Sequence, residues 1–331
     1  MAKKGYDFVA IGDLVTDAFI KLSDAKVTCD VNSDNCMISM RFGDKIPYEK
    51  VDVIPAVGNS ANAAVSAARL GLKSAIISNI GDDRDGEDAL NVFKKEKVGT
   101  DFVKVNKGMK TNYHYVLSYE GERTILIKHE DYKYKMPNIG SPKWIYLSSA
   151  GHNSIPFHKE VVKYLQKHKD IKLAFQPGTF QMKAGTKKLA SIYKLAEVVF
   201  MNKEESQRVL KTKETNIKKL LDKLCALGPK IAVITDGRDG AYVKQGKEYW
   251  FMPIYPDPRP PLERTGAGDA FSSTFTIALA QGKSIEEALM WGPINSMSVV
   301  QAVGAQAGLL NKSQLQKLLK SAPKSYQPKR I

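Results

Sequence analysis

Short, uniformly apolar runs recur along this chain of 331 residues, each followed by an amphipathic stretch. That alternation narrows the possible folds more than any other feature. Residues 8–11 end at Gly12, 75–78 run toward Gly81, and 144–147 stop at Ser148-Ser149-Ala150-Gly151. Residues 173–175 end at Pro177-Gly178, 198–200 at Asn202, and 231–234 at Asp236-Gly237. Runs of this kind, without polar alternation, read as strands covered on both faces. Helical spacing fits residues 59–70, 85–97, 157–168, 203–211, 215–226, 268–281, 285–302 and 312–321. Strand-helix-strand repetition predicts an α/β fold: a doubly wound, mainly parallel sheet with helices on both faces and right-handed crossovers.

Two stretches break the pattern. Residues 18–57 carry no helical spacing and include the alternating run Met37-Ile38-Ser39-Met40-Arg41-Phe42. Residues 111–129 alternate on both sides of a turn at Glu120-Gly121-Glu122 and read as a hairpin. Both are expected to form a small β-sheet outside the main layer. Ligands of α/β folds bind beyond the carboxyl ends of the strands, so such a sheet can act as a lid. The expectation is a single domain over residues 1–331 with a discontinuous β-lid from about 18–57 and 111–129. The tail from Lys312 holds six basic residues and no acid, and its last eight residues are expected to be loose.

Hydrophobic residues make up 43% and charged residues 26%, which excludes disorder, collagen and coiled coil. The formal charge is 50 − 35 = +15, and a nucleic-acid or anionic-membrane partner is the first reading of it. Only 9 of the 50 basic residues are Arg, whereas groove readers rely on the planar guanidinium fork. A dispersed Lys excess fits a solvated surface better. Three cysteines, Cys29, Cys36 and Cys225, with no C-x-x-C and no zinc-type His spacing, argue against a disulfide-built domain or a structural metal site. No apolar stretch is long enough for a signal peptide or a membrane span, so a reduced cytoplasmic compartment is the default expectation.

The strongest chemical signal is Thr265-Gly266-Ala267-Gly268-Asp269, leading into an apolar helix. Unobstructed N–H groups at a helix N-terminus bind anions, because orphan donors and the helix dipole point the same way. Asp269 in that first turn is either a helix cap or, beside a bound phosphate, a group that accepts a proton from an attacking hydroxyl. Two rival glycine motifs fail. A P-loop ending at Gly282-Lys283-Ser284 would need glycine where Ile277 stands, and a dinucleotide fingerprint from Gly266 and Gly268 would need it at Phe271.

Five further motifs accompany this one in a fixed order. They are Gly12-Asp13-Leu14-Val15-Thr16-Asp17, Gly58-Asn59-Ser60-Ala61-Asn62-Ala63-Ala64 with Arg69-Leu70-Gly71, and Gly81-Asp82-Asp83-Arg84-Asp85-Gly86. Then come Asn202-Lys203-Glu204-Glu205 and Thr235-Asp236-Gly237-Arg238-Asp239-Gly240. Over about residues 6–310 the chain resembles the ribokinase-like sugar and nucleoside kinases, also called the phosphofructokinase-B family. The resemblance implies ATP and Mg²⁺ as cofactors and a sugar or nucleoside as acceptor, with no nucleic-acid or membrane partner. It implies Asp269 as catalytic base and Gly266, Ala267 and Gly268 as an anion hole. Asp13, Asp17, Gly58, Asn59 and Asn62 would hold the acceptor. Asn202, Thr235, Gly237, Gly240 and Thr265 would line the nucleotide, and Glu205 would reach the metal through water. The protein would be a monomer or a homodimer formed through the lid.

Each position keeps a plainer reading. Asp13 and Asp17 can be turn residues, Asn62 a first-turn residue, and Asn202 a helix cap with Glu205 closing a capping box. Lys128 and His129, at the end of the hairpin, are expected on the surface. The chain also departs from the family pattern. Glu263-Arg264-Thr265 replaces the usual Asp-Thr-Thr or Asp-Thr-Asn, which speaks against a monovalent-cation requirement. Gln176-Pro177-Gly178 replaces D-P-N, and Ser148-Ser149-Ala150-Gly151 lacks the acidic residue that ribokinases use against the sugar, so ribose is not assured. A nucleoside kinase of the same family is the nearest alternative. A nucleic-acid-binding protein on an inactive kinase scaffold and a dinucleotide oxidoreductase are more distant ones.

Overall fold

The computed structural model describes residues 5–30, 36–120 and 122–331. The elements run β1 (Phe8–Ile11), β2 (Val15–Leu22), β3 (Lys26–Cys29), β4 (Cys36–Ser39), β5 (Tyr48–Val57), α1 (Asn59–Arg69), β6 (Ser74–Gly81), α2 (Arg84–Lys95), β7 (Gly99–Asn106), β8 (Tyr113–Tyr119) and β9 (Glu122–Lys128). The second half continues with β10 (Trp144–Leu147), α3 (Ile155–Lys167), β11 (Lys172–Phe175), α4 (Thr179–Ala184), α5 (Ala190–Leu195), β12 (Ala196–Asn202), α6 (Lys203–Leu210), α7 (Ile217–Ala226) and β13 (Ile231–Thr235). It closes with β14 (Ala241–Gln245), β15 (Glu248–Met252), α8 (Ala267–Ala280), α9 (Ile285–Val299), α10 (Lys312–Lys320) and β16 (Lys329–Arg330).

Among the described residues the main sheet has ten strands in the order β16-β15-β14-β13-β12-β11-β10-β1-β6-β7. From β13 to β7 all neighbours are parallel. The apolar runs behave as doubly covered strands should: alternate residues enter opposite cores. Phe8 and Ala10 pack into one cluster, with α1, α8 and α9, while Val9 and Ile11 pack into the other, with α3 and α7. Trp144 and Tyr146 against Ile145 and Leu147 repeat the division. The chain turns outward in both directions from β1, which puts a switch-point crevice at the carboxyl ends of β1 and β10. Gly12 is required there. A Cβ on it would lie 2.6 Å from the Ser149 carbonyl oxygen.

The C-terminal edge differs from expectation. Strands β14, β15 and β16 are antiparallel, and the tail is docked, not loose. Tyr326 is buried, donates to the Met290 carbonyl at 2.6 Å, and packs edge-on against Tyr255. Burying a ring of that size contributes roughly 2 kcal/mol. Pairing of β16 with β15 also covers a sheet edge that would otherwise expose unpaired backbone groups.

A second sheet, order β5-β2-β8-β9, stands apart from the main one. It begins at Val15 rather than residue 18, and β2 with β8 is its parallel pair. The run around Met37 is not part of it: β3 and β4 form a separate ribbon, closed by a Cys29–Cys36 disulfide. An odd cysteine count argued against a disulfide-built domain, but it does not forbid one bridge on a peripheral ribbon. Gly121 of the predicted hairpin turn lies outside the described residues. Register divides the small sheet into two faces. Asp17–His114–Ile127 and Phe19–Val116–Ile125 are cross-strand rows on one face, and Ala18–Tyr115–Leu126 is a row on the other.

Candidate active site

A cavity of about 660 Å³ opens at the switch point, within the range for a small-molecule site. The small sheet supplies one wall through Asp17, His114, Arg123, Ile125 and Ile127, all from the row-defined inner face. The ends of the main strands and the N-terminus of α8 supply the rest.

Asp269 sits in the first turn of α8. Its Oδ1 accepts from Asn59 Nδ2 at 2.7 Å and from Gln176 Nε2 at 3.0 Å, and its Oδ2 accepts from Asn62 Nδ2 at 2.8 Å. Burial raises its pKa above the ordinary aspartate value, against the lowering effect of the three amide donors. Such a carboxylate is oriented and more basic than a solvated one, which is what proton abstraction needs. Gly266 precedes the helix with φ +80°, and a Cβ there would lie 2.4 Å from Ala305 Cβ. Only glycine fits. Thr265, Gly266, Ala267 and Gly268 all border the cavity, and Thr265 Oγ1 is buried without a hydrogen-bond partner. Glu263 anchors the loop, accepting from Thr265 N at 2.8 Å and from Gly304 N at 3.1 Å.

On the small-sheet wall Asp17 and His114 face each other, with Asp17 Oδ1 3.4 Å from His114 Nδ1. Asp17 Oδ1 and His114 Nε2 are buried polar atoms without hydrogen bonds. Gly58, Asn59 and Asn62 line the cavity from the start of α1, where Asn59 and Asn62 reach Asp269. Asp13 does not join them. Its Oδ2 lies 2.6 Å from His129 Nδ1, both its oxygens accept from the Tyr134 hydroxyl at 2.9 Å, and it stands behind the cavity wall. His129 is therefore buried and borders the cavity, contrary to the surface placement expected for it, because Asp13 draws the ring inward. Lys128, its neighbour, is exposed and paired with Glu130. Alternation explains the split: the two residues point to opposite faces.

Toward the other rim, Asn202 caps α6 and Glu205 returns the bond in a capping box. Both also border the cavity, so cap and site are the same residues. Burial raises the pKa of Glu205. Thr235, Gly237 and Gly240 follow at the end of β13, where a Cβ on Gly240 would lie 2.3 Å from the Met252 carbonyl. Sequence reasoning missed His114, Tyr134, Phe180 and the bond from Gln176. His114 could have been found as the hairpin residue that alternation places on the same face as Val116, Ile125 and Ile127.

Solved structures share this architecture. Ribokinase of Arabidopsis thaliana, complexed with ribose and ATP, superposes with a TM-score of 0.79 at 21% identity, covering 96% of this chain and 99% of that one. The nucleoside kinase of Methanocaldococcus jannaschii gives 0.77 at 16%, covering 96% and 100%. The sheet order, the separate small sheet and the glycine-headed α8 thus define a ribokinase-like α/β protein. Residues 23–312 match the pfkB family carbohydrate kinase model, and the chain belongs to that family of carbohydrate kinases. Among its relatives, ribokinase of Bacillus subtilis (strain 168) is 28% identical over 287 residues, 84% of this chain and 92% of that protein.

Proposed function

We propose that the protein transfers the γ-phosphoryl group of ATP to a hydroxyl of a sugar or sugar-like acceptor, with Asp269 as general base. The observation that carries this reading is the Asp269 carboxylate, held by three amides beside Thr265-Gly266-Ala267-Gly268 in the same cavity as Asp17 and Thr235. Asp17 and Asn62 orient the acceptor hydroxyls, and Asp269 takes the proton of the attacking one. The N–H groups of Gly266, Ala267 and Gly268 stabilise charge on the transferring group, because four donors at a helix start have no intrahelical acceptor. Asn202, Thr235, Gly237 and Gly240 line the nucleotide. The donor set fits Mg²⁺ held mainly by phosphates and water: Glu205 borders the phosphate end with Oε2 engaged by the Asn202 N–H, and it reaches the ion through water. The metal supplies neutralisation of phosphate charge.

Small-sheet closure over the acceptor excludes water from the transfer step. The residues form a single domain with that sheet as a discontinuous lid. Its outer face exposes Val51, Val53, Tyr115 and Leu126, an apolar patch that a second copy would cover, giving a homodimer through the lid. A cytoplasmic setting, where ATP is at hand, completes the reading. The disulfide ribbon lies outside the cavity and has no part in it.

A panel of sugars, sugar acids, sugar phosphates and nucleosides with Mg²⁺-ATP, read by acceptor-dependent ADP release, tests the proposal. Turnover with a sugar class is expected. Selective turnover with nucleosides would establish the family alternative, and no turnover with any acceptor would overturn both.

A further inference from the structure

The loop at residues 304–306 touches three parts of the site with three consecutive residues. Gly304 N donates to Glu263 Oε2 at 3.1 Å. Ala305 packs against Gly266 so closely that no Cβ would fit between them. Gln306 is buried and does not border the cavity. Its Nε2 donates to the Ala56 carbonyl at 2.7 Å and to Asn62 Oδ1 at 3.0 Å.

The second bond decides how Asn62 faces Asp269. An asparagine amide is symmetric in shape, and only its hydrogen-bond partners fix which end is oxygen. The Ala56 carbonyl can only accept, so Nε2 of Gln306 must point to it. That nitrogen then has one hydrogen left, which requires Oδ1 of Asn62 opposite. Nδ2 of Asn62 is thereby turned to Asp269 Oδ2, at 2.8 Å. Reversed, Asn62 would present oxygen to a carboxylate.

The loop is itself held from behind. Arg69 Nη1 donates to the carbonyls of Gln306 and Leu309 at 2.7 and 2.8 Å, while Nε and Nη2 grip Glu96 at 2.8 and 2.7 Å. Ala56, at the other end, has φ +59° with no exposed surface, just where β5 passes into α1. An alanine in that left-handed region is held there by its surroundings, and the Gln306 bond is one of them.

We infer that Gln306 is a positioning residue for phosphoryl transfer: it fixes the amide orientation of Asn62 and, through it, the direction and basicity of the Asp269 carboxylate. The inference rests on the reading of Asp269 as the base. It is tested by kcat, acceptor KM and the acid limb of the pH–rate profile for Gln306→Met, Asn62→Ala and the double variant, with thermal unfolding as a control. Gln306→Met is expected to lower kcat about 10- to 100-fold, the usual cost of misplacing a reacting group, with the KM for ATP unchanged. Its acid limb moves to higher pH, because the Asn62 donor to the charged form of Asp269 is no longer held in place. In the Asn62→Ala background the same change costs no more than about twofold, since residues acting through one contact are not additive.

Wild-type kcat and acid limb in folded Gln306→Met, or losses that multiply in the double variant, would overturn the inference. If the Met variant does not fold, the smaller and neutral Gln306→Ala, which removes the donor without adding a charge, carries the test. An upward acid limb supports the inference and an unmoved one sinks it. Asp269→Asn separates the two levels. Normal turnover there defeats the base assignment and this inference with it, whereas an inactive Asp269→Asn beside normal Gln306 variants defeats the inference alone.

Discussion

Two carboxylates that face the cavity, Asp269 and Asp17, are held on opposite terms. At the α8 end, both Asp269 oxygens are met by amide donors whose positions are set by α1 and the end of β11. At the small-sheet end, Asp17 Oδ1 and His114 Nε2 are buried without hydrogen bonds. Buried polar groups normally find partners, and leaving one unmet costs about 1–3 kcal/mol. Such a cost persists where a ligand supplies what the protein withholds. The contrast fits the roles proposed for them: a preorganised group to do the chemistry, and an unsatisfied one to receive the acceptor's hydroxyls.

Substitutions can break that contrast from either side. The largest effect is expected for Gly266→Ala, which puts a side chain into a left-handed position already filled by Ala305. Turnover should drop about 10²- to 10³-fold, as for loss of an oxyanion donor. Steady-state activity within a few-fold of wild type would remove the glycine loop from the transfer step. Next, Asp17→Asn should raise the acceptor KM about tenfold or more and leave the KM for ATP unchanged. The melting temperature should change little, since Asp17 Oδ1 makes no hydrogen bond and its contact with His114 Nδ1 is 3.4 Å long. An equal change in both KM values would mean that the small-sheet end does not serve the acceptor alone. Smallest in catalysis is Leu126→Glu on the outer face. Sedimentation should show weakened self-association at about wild-type turnover, and an unchanged association state would separate the lid from any dimer contact.

Sequence alone carried the main layer well because its signal is local. Uniform apolar runs such as residues 144–147 bury both faces, and several end at residues that line the cavity, among them Ser149, Gln176 and Asn202. It carried the glycine loop for the same reason: five adjacent residues, 265–269, make up the motif, and all border the cavity. The tail was misread because docking of Tyr326 depends on Tyr255 and Met290, far away in the chain. His129 was misread because its placement depends on Asp13, 116 residues earlier. Asp13 shows the limit of motif reading. It occupies the expected strand end, yet its carboxylate is taken up by His129, which borders the cavity, and by Tyr134. Pairings across the fold decide which motif residues reach the ligand, and local spacing does not encode them.

Single-turnover phosphoryl transfer by Asp269→Asn is the most direct test of the base assignment, with nucleotide binding and thermal unfolding followed in the same preparation. Folding and ATP binding should be intact and transfer slowed about 10²- to 10⁴-fold, the range for loss of a general base. The wild-type enzyme should lose activity as the pH falls through a limb above the ordinary aspartate range, because burial raises the Asp269 pKa and only the deprotonated carboxylate accepts the proton. Near-wild-type transfer by Asp269→Asn, with that limb unmoved, would contradict the mechanism.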